Sequence, residues 1–199
     1  MKVINFFGAP GVGKTTNALL LTAKLKQLGI DTEISLEFVK DYIFTNNEDM
    51  IAFQNHIFSE QERKLRVFDK SNEVEFAVAD SPLLLSSYYA PKDYAIYFKD
   101  LVFEIFNTYD NINFFVNRNH DYSHQGRKHD EDESIFINKN IKAYLINNNI
   151  PFIEINSTDN LEDFVLPFIL NNHRDELYQK NKRDRNKEKE LKNLKNEKT

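Results

Sequence analysis

KVINFFGAPGVGKTT occupies residues 2–16, and how it is read decides the fold. Its first six residues form an apolar run of strand length. Gly8, Gly13, Lys14 and Thr15 then meet every fixed position of G-x-x-x-x-G-K-[ST]. Glycines allow turns that bring successive backbone N–H groups around phosphate oxygens. Residues 14–28 repeat apolar positions at helical spacing and stop at Gly29, a good helix terminator. The start of that helix adds partial positive charge. The stretch therefore predicts a strand, a phosphate-cradling loop and a helix. The backbone of Gly8, Gly11, Val12 and Gly13 wraps the phosphates of a nucleoside triphosphate. Lys14 reaches the β- and γ-phosphates, the Thr15 hydroxyl ligates Mg²⁺, and Thr16 contacts the α-phosphate.

Outward from the loop, strand and helix patterns alternate. Strands are expected at 31–39 (DTEISLEFV), 73–80 (EVEFAVAD), 111–118 (NINFFVNR) and 150–156 (IPFIEIN). Helices are expected at 48–71, 91–109, 133–149 and 157–172. Such alternation implies an α/β domain of three layers, a five-stranded parallel sheet with helices on both faces. The domain is expected to span 1–171. The polar segment HDYSHQGRKHDED, at 120–132, reads as a loop.

The 199 residues suffice for one such domain and contain no cysteine, which excludes disulfides and thiolate metal sites and fits a cytoplasmic protein. The apolar start is too short for a signal segment or a membrane span. Residues 172–199 hold ten Lys/Arg against six Asp/Glu, a surplus of four. With a net charge of −5 overall, the first 171 residues carry −9. An acidic body argues against a broad nucleic-acid surface. The tail has too few large apolar residues for a core and is expected to be a solvated helix or disordered.

The nucleotide is expected to be ATP. A guanine-reading Asn-Lys-x-Asp is missing, since Asn117-Arg118 is followed by His120 where the carboxylate belongs. The third strand ends in Asp80, where a strand-end carboxylate holds Mg²⁺ together with Thr15. A strand-end Asp capping the turn at Ser81-Pro82 is the plainer alternative. The loop after the fourth strand carries Arg118 and Arg127. As a lid, it would bring both arginines onto the transferring phosphoryl group and exclude water. Otherwise the arginines pair with the acidic run at 130–133. His120, His124 and His129 share that loop, which is a poor scaffold for a metal.

Taken in order, GAPGVGKTT, the carboxylate in LEFVKDY, the glutamines in FQNHIFSEQERKL, AVADSPLLLSSYYA and RNHDYSHQGRKHDEDES resemble the P-loop nucleoside and nucleotide kinases. The likeness is nearest to the small kinase-like ATPases related to nicotinamide riboside kinase and deoxynucleoside kinase domains. It spans roughly residues 1–170. It implies a phosphoryl transferase with a five-stranded parallel core and an arginine lid. Its acceptor lies between the second strand, the long helix and the lid. On this likeness Glu37 is the base or positioning group for the acceptor hydroxyl. Gln54 matches a glutamine that reads a base or sugar, and Gln61, seven residues on, shares its helix face. The chain departs from many relatives in following its strand-three acid with Ser81-Pro82 and not arginine, which shifts weight to Arg63, Arg66, Arg118 and Arg127. The implied partner is a small acceptor, with no membrane; a homodimer is left open. The rival reading is a P-loop ATPase acting as a switch through a macromolecular partner.

Overall fold

The computed structural model describes residues 1–37, 39–45, 47–119 and 130–174. Five strands form one parallel sheet: β1 (Lys2–Phe7), β2 (Thr32–Ser35), β3 (Phe76–Ala79), β4 (Asp110–Asn117) and β5 (Ile153–Asn156). Their order across the sheet is β2-β3-β1-β4-β5. β1 is central, with Asn5 opposite Ala79 on β3 and Asn113 on β4. The chain turns to opposite sides of β1 on leaving β1 and β3. A crevice outside the carboxyl ends of the strands follows from that reversal.

β1 is buried along nearly its whole length and β4 through Asn113–Val116, which is why their centres read as nearly continuous apolar runs. Val3, Phe7, Ala77, Ala79 and Phe115 face one layer of helices. That layer comprises α3 (Gln54–Ser71), α4 (Leu84–Tyr89), α5 (Phe98–Asn107) and α6 (Glu131–Asn147). Residues of opposite parity, among them Ile4, Phe6, Val78 and Phe114, face away from that layer. The Phe6 and Phe114 rings stack there at 5.7 Å. α1 (Lys14–Gln27) contacts β1, β2 and β3 and buries Ala18, Leu21 and Leu25. A polar seam interrupts the β1–β4 contact. Asn5 Nδ2 donates to Asn111 Oδ1 at 2.9 Å and to Asn113 Oδ1 at 3.0 Å.

Three expectations need correction. β2 stops at Ser35, and Val39 opens a short helix, α2 (Val39–Phe44). The residues beyond Ser35 have passed the edge of the sheet, so there is no ladder for them to join. The helix expected over 48–71 breaks at Phe53, where a 3₁₀ segment (Glu48–Ala52) gives way to α3. The helix expected at 91–109 begins only at Phe98, and α4 forms before it.

The chain divides into two compact units, Met1–Asp159 and Asn160–Thr199. In the second, Leu161, Val165 and Ile169 are buried at four-residue spacing. The expected tail lies outside the described residues from 175 onward. Among the described residues, no helix is long and apolar enough to cross a membrane.

Candidate phosphate and acceptor site

The glycine loop leaves the carboxyl end of central β1, as its sequence requires. Gly8 adopts φ +146°, and a Cβ built there would lie 2.8 Å from Val12 Cγ2 and 3.1 Å from the Val116 carbonyl oxygen. Backbone from two strands converges at this point, which leaves no room for a side chain. Gly13 is left-handed, at φ 99°, and hands the chain to α1. The Asn17 amide donates back to the Gly13 carbonyl at 2.9 Å, steadying that turn.

Lys14 folds back over the loop, its Nζ donating to the Ala9 carbonyl at 2.9 Å. The ammonium is thereby held over the turn whose N–H groups are expected to receive phosphate. Thr16 is exposed and Val12 buried.

The Thr15 hydroxyl donates to Asp80 Oδ2 at 2.9 Å, joining the loop to the end of β3. Asp80 is 2% exposed, and its Oδ1 has no hydrogen-bond partner. A buried carboxylate with one idle oxygen is costly unless a cation or donor completes it. Hydroxyl and carboxylate oxygens are the hard ligands that Mg²⁺ takes. Among the described residues, no cluster of three or more His, Asp or Glu could hold a metal by itself. The three lid histidines lie outside those residues.

Sequence reasoning missed the far side of the loop. Asp130 caps α6, accepting from the Glu133 backbone N–H while the Glu133 carboxylate accepts from that of Asp130. One turn on, the Ser134 hydroxyl donates to the Pro10 carbonyl at 2.7 Å. Another turn on, Asn138 Oδ1 accepts the Ala9 N–H at 2.7 Å. Two helix side chains at i and i+4 thus clasp two consecutive loop residues. No short pattern marks them, because their partners are backbone atoms more than a hundred residues away.

Arg118 directly follows β4. Its Nη2 donates to Glu131 Oε1 at 2.6 Å, and the side chain is 14% exposed. The two stems of the expected lid are therefore tied by an ion pair. Arg127 lies outside the described residues. Arg63 and Arg66 pair with Glu60 and Glu62 on their own helix.

Glu37 sits two residues beyond β2 and is half-buried. Its charge reaches α4. The Tyr89 hydroxyl is pushed well above the usual phenol range, chiefly by desolvation and then by the charge of Glu37 and by Tyr88. Tyr89 therefore stays protonated. On α3, Gln54 and Gln61 are both buried. Gln54 Nε2 donates to the Ile51 carbonyl at 2.7 Å, across the break at Phe53. Gln61 Nε2 and Oε1 both lack partners.

The loop on the central strand, the Thr15–Asp80 contact and the strand order define an α/β domain of the P-loop NTPase class. Residues 3–163 match the family described as AAA domain, and the chain belongs to that family. No curated protein matches the chain. Among solved structures it is similar to deoxyadenosine kinase from M. mycoides. One of these, with the products dCMP and a flexible dCDP bound, gives 16% identity and a TM-score of 0.48, covering 87% of this chain and 98% of that one. Another, with dATP bound, gives 17% identity and a TM-score of 0.48, covering 87% and 100%. The crystal structure of APE1195 follows at 15% identity and a TM-score of 0.39, covering 79% and 85%.

Proposed function

We propose that the chain transfers the γ-phosphoryl group of ATP to a small nucleoside-, nucleotide- or other ribose-containing acceptor, with Mg²⁺ as cofactor. The observation that carries this reading is the contact of Thr15 with the buried Asp80 beside the glycine loop, with one Asp80 oxygen idle. Thr15 and Asp80 would hold the metal, which neutralises phosphate charge when bound.

The chain's own residues divide the remaining work. The amides of Gly8, Gly11, Val12, Gly13, Thr15 and Thr16 cradle the phosphates. Lys14 leaves the Ala9 carbonyl for the β- and γ-phosphate oxygens. Glu37 takes the proton of the attacking acceptor hydroxyl. A bond forms from that oxygen to the γ-phosphorus, the bond to the β-phosphate oxygen breaks, and ADP leaves. Arg118 exchanges Glu131 for the transferring group and acts there with Arg127, while the lid keeps water out. Gln54 and Gln61 lie on the acceptor side.

The test is ADP release measured with and without candidate acceptors. A kinase is slow until its acceptor is added. Lys14→Ala should fall below a few per cent of wild-type turnover with its melting temperature intact. Full turnover in that variant would refute the reading. The basic surplus at 172–199 favours a second reading, a P-loop ATPase acting through a macromolecular partner. Its mark would be turnover that responds to a macromolecule and to no small acceptor.

A further inference from the structure

α6 is apolar on two sides. One side carries the buried Ile141 and Leu145, together with Ser134 and Asn138, which clasp the phosphate loop. That side holds the helix on the domain. On the other, Ile135 is 41% and Phe136 66% exposed. A helix of a lone domain keeps one apolar stripe and turns polar residues to water. An exposed apolar pair is ordinary by itself. Its flanks give this pair a meaning.

Asp132, Ile135, Phe136 and Lys139 stand at i, i+3, i+4 and i+7, so they share one stripe of α6. All four are exposed. The neighbouring charges are engaged within the chain, Glu131 by Arg118 and Lys142 by Glu154. Among the described residues, Asp132 and Lys139 have no ion-pair partner. The stripe reads the same in both directions. Reversed about its midpoint, between Ile135 and Phe136, it sets an acid against a base at each end and apolar against apolar in the middle. That is the self-complementarity a two-fold contact requires. Two copies of an acidic body repel each other over most of their surface, whereas this stripe carries one charge of each sign.

We infer that the stripe is a docking face for a second copy of this chain, whose α6 lies antiparallel against it. Ile135 and Phe136 of the two copies meet at the two-fold axis, and Asp132 of each copy faces Lys139 of the other. The stripe spans about 10 Å of helix, and helices packed along it would stand about 8–10 Å apart. So small a contact gives weak association that depends on concentration. It needs no nucleotide and stands apart from the kinase reading.

Sedimentation equilibrium of the full chain over a wide range of concentration tests this. The wild-type chain should pass from monomer to dimer as concentration rises, and added salt should weaken the dimer. Phe136→Ser should leave a monomer. Lys139→Asp makes the stripe wholly acidic, and Asp132→Lys makes it wholly basic. Each should weaken self-association by on the order of tenfold or more, because the two-fold axis repeats every like-charge contact. Mixed in equal amounts, these two variants should associate with each other about as tightly as the wild-type chain does with itself. Both exchanges on one chain should restore self-association. The positions are exposed, so melting temperatures should stay within about 4 °C of wild type, and recovery on mixing shows that neither single variant is misfolded. A wild-type chain that stays monomeric at every concentration overturns the inference. So does a dimer indifferent to all three single exchanges, which another face must hold. Growth beyond a dimer overturns it as well, since a closed two-fold contact forbids it, and so does failure of the mixed variants to associate.

Discussion

Replacing Asn138 tests whether α6 governs the shape of the phosphate loop. Ala9 is fully buried, and its N–H is accepted by Asn138 Oδ1 at 2.7 Å. Asn138→Ala strands that N–H, and a buried donor without a partner costs about 2 kcal/mol. In a domain of this size the melting temperature should fall by about 4–8 °C. Asn138→Asp separates stability from function. Its carboxylate still accepts from Ala9, so most of the melting temperature should return. It also places a negative charge beside the phosphate site. At roughly 6 Å and an effective dielectric of about 40, each phosphate charge is opposed by about 1.4 kcal/mol. ATP affinity should therefore fall by roughly tenfold or more, and added salt should shrink the loss. Thermal denaturation and direct ATP titration at two ionic strengths suffice. Wild-type melting in Asn138→Ala together with wild-type ATP affinity in Asn138→Asp would refute the clasp.

Thr15→Val leaves Asp80 with neither oxygen paired, so the unliganded variant should be less stable by about 1–3 kcal/mol and turnover should require much more Mg²⁺; unchanged values in both denaturant melts and a Mg²⁺ titration would sever the pair from the chemistry. Arg118→Ala should lower kcat by on the order of a hundredfold with ATP affinity little changed, and Lys should rescue poorly because it lacks the planar fork. A drop in melting temperature with kcat intact would instead make Arg118 a tie between the lid stems.

The sheet was legible because β1, β3 and the stretch Asn113–Val116 of β4 are buried on both faces and their sequences leave little alternative. β2 was read too long for a definite reason. Ile34, Leu36 and Phe38 keep a strand's alternation past Ser35, but Ser35 is the last residue with a paired neighbour on β3. Local pattern cannot show where a neighbouring strand ends. α4 was missed because Leu83–Ser87 is buried without a polar face, so helical periodicity is absent. The loop motif singled out Lys14 and Thr15 at fixed spacing, and the acidic end of the third strand singled out Asp80, which the structure brings against Thr15. Ser134 and Asn138 carry no chemistry of their own. They matter through where α6 comes to rest, and that depends on tertiary packing.

The asparagine seam between β1 and β4 acts as a key that fits one alignment. Asn5, Asn111 and Asn113 meet only when Asn5 lies opposite Asn113. Sliding β4 by one position would bury the Asn5 amide among aromatic rings. Leucines would fill the same space with less penalty for slippage. Gly8 begins three residues after Asn5, and Arg118 follows five residues after Asn113. The seam therefore fixes how high the phosphate loop stands relative to the first stem of the lid. Part of the interior's apolar cohesion is exchanged for a fixed alignment of the two segments that leave β1 and β4.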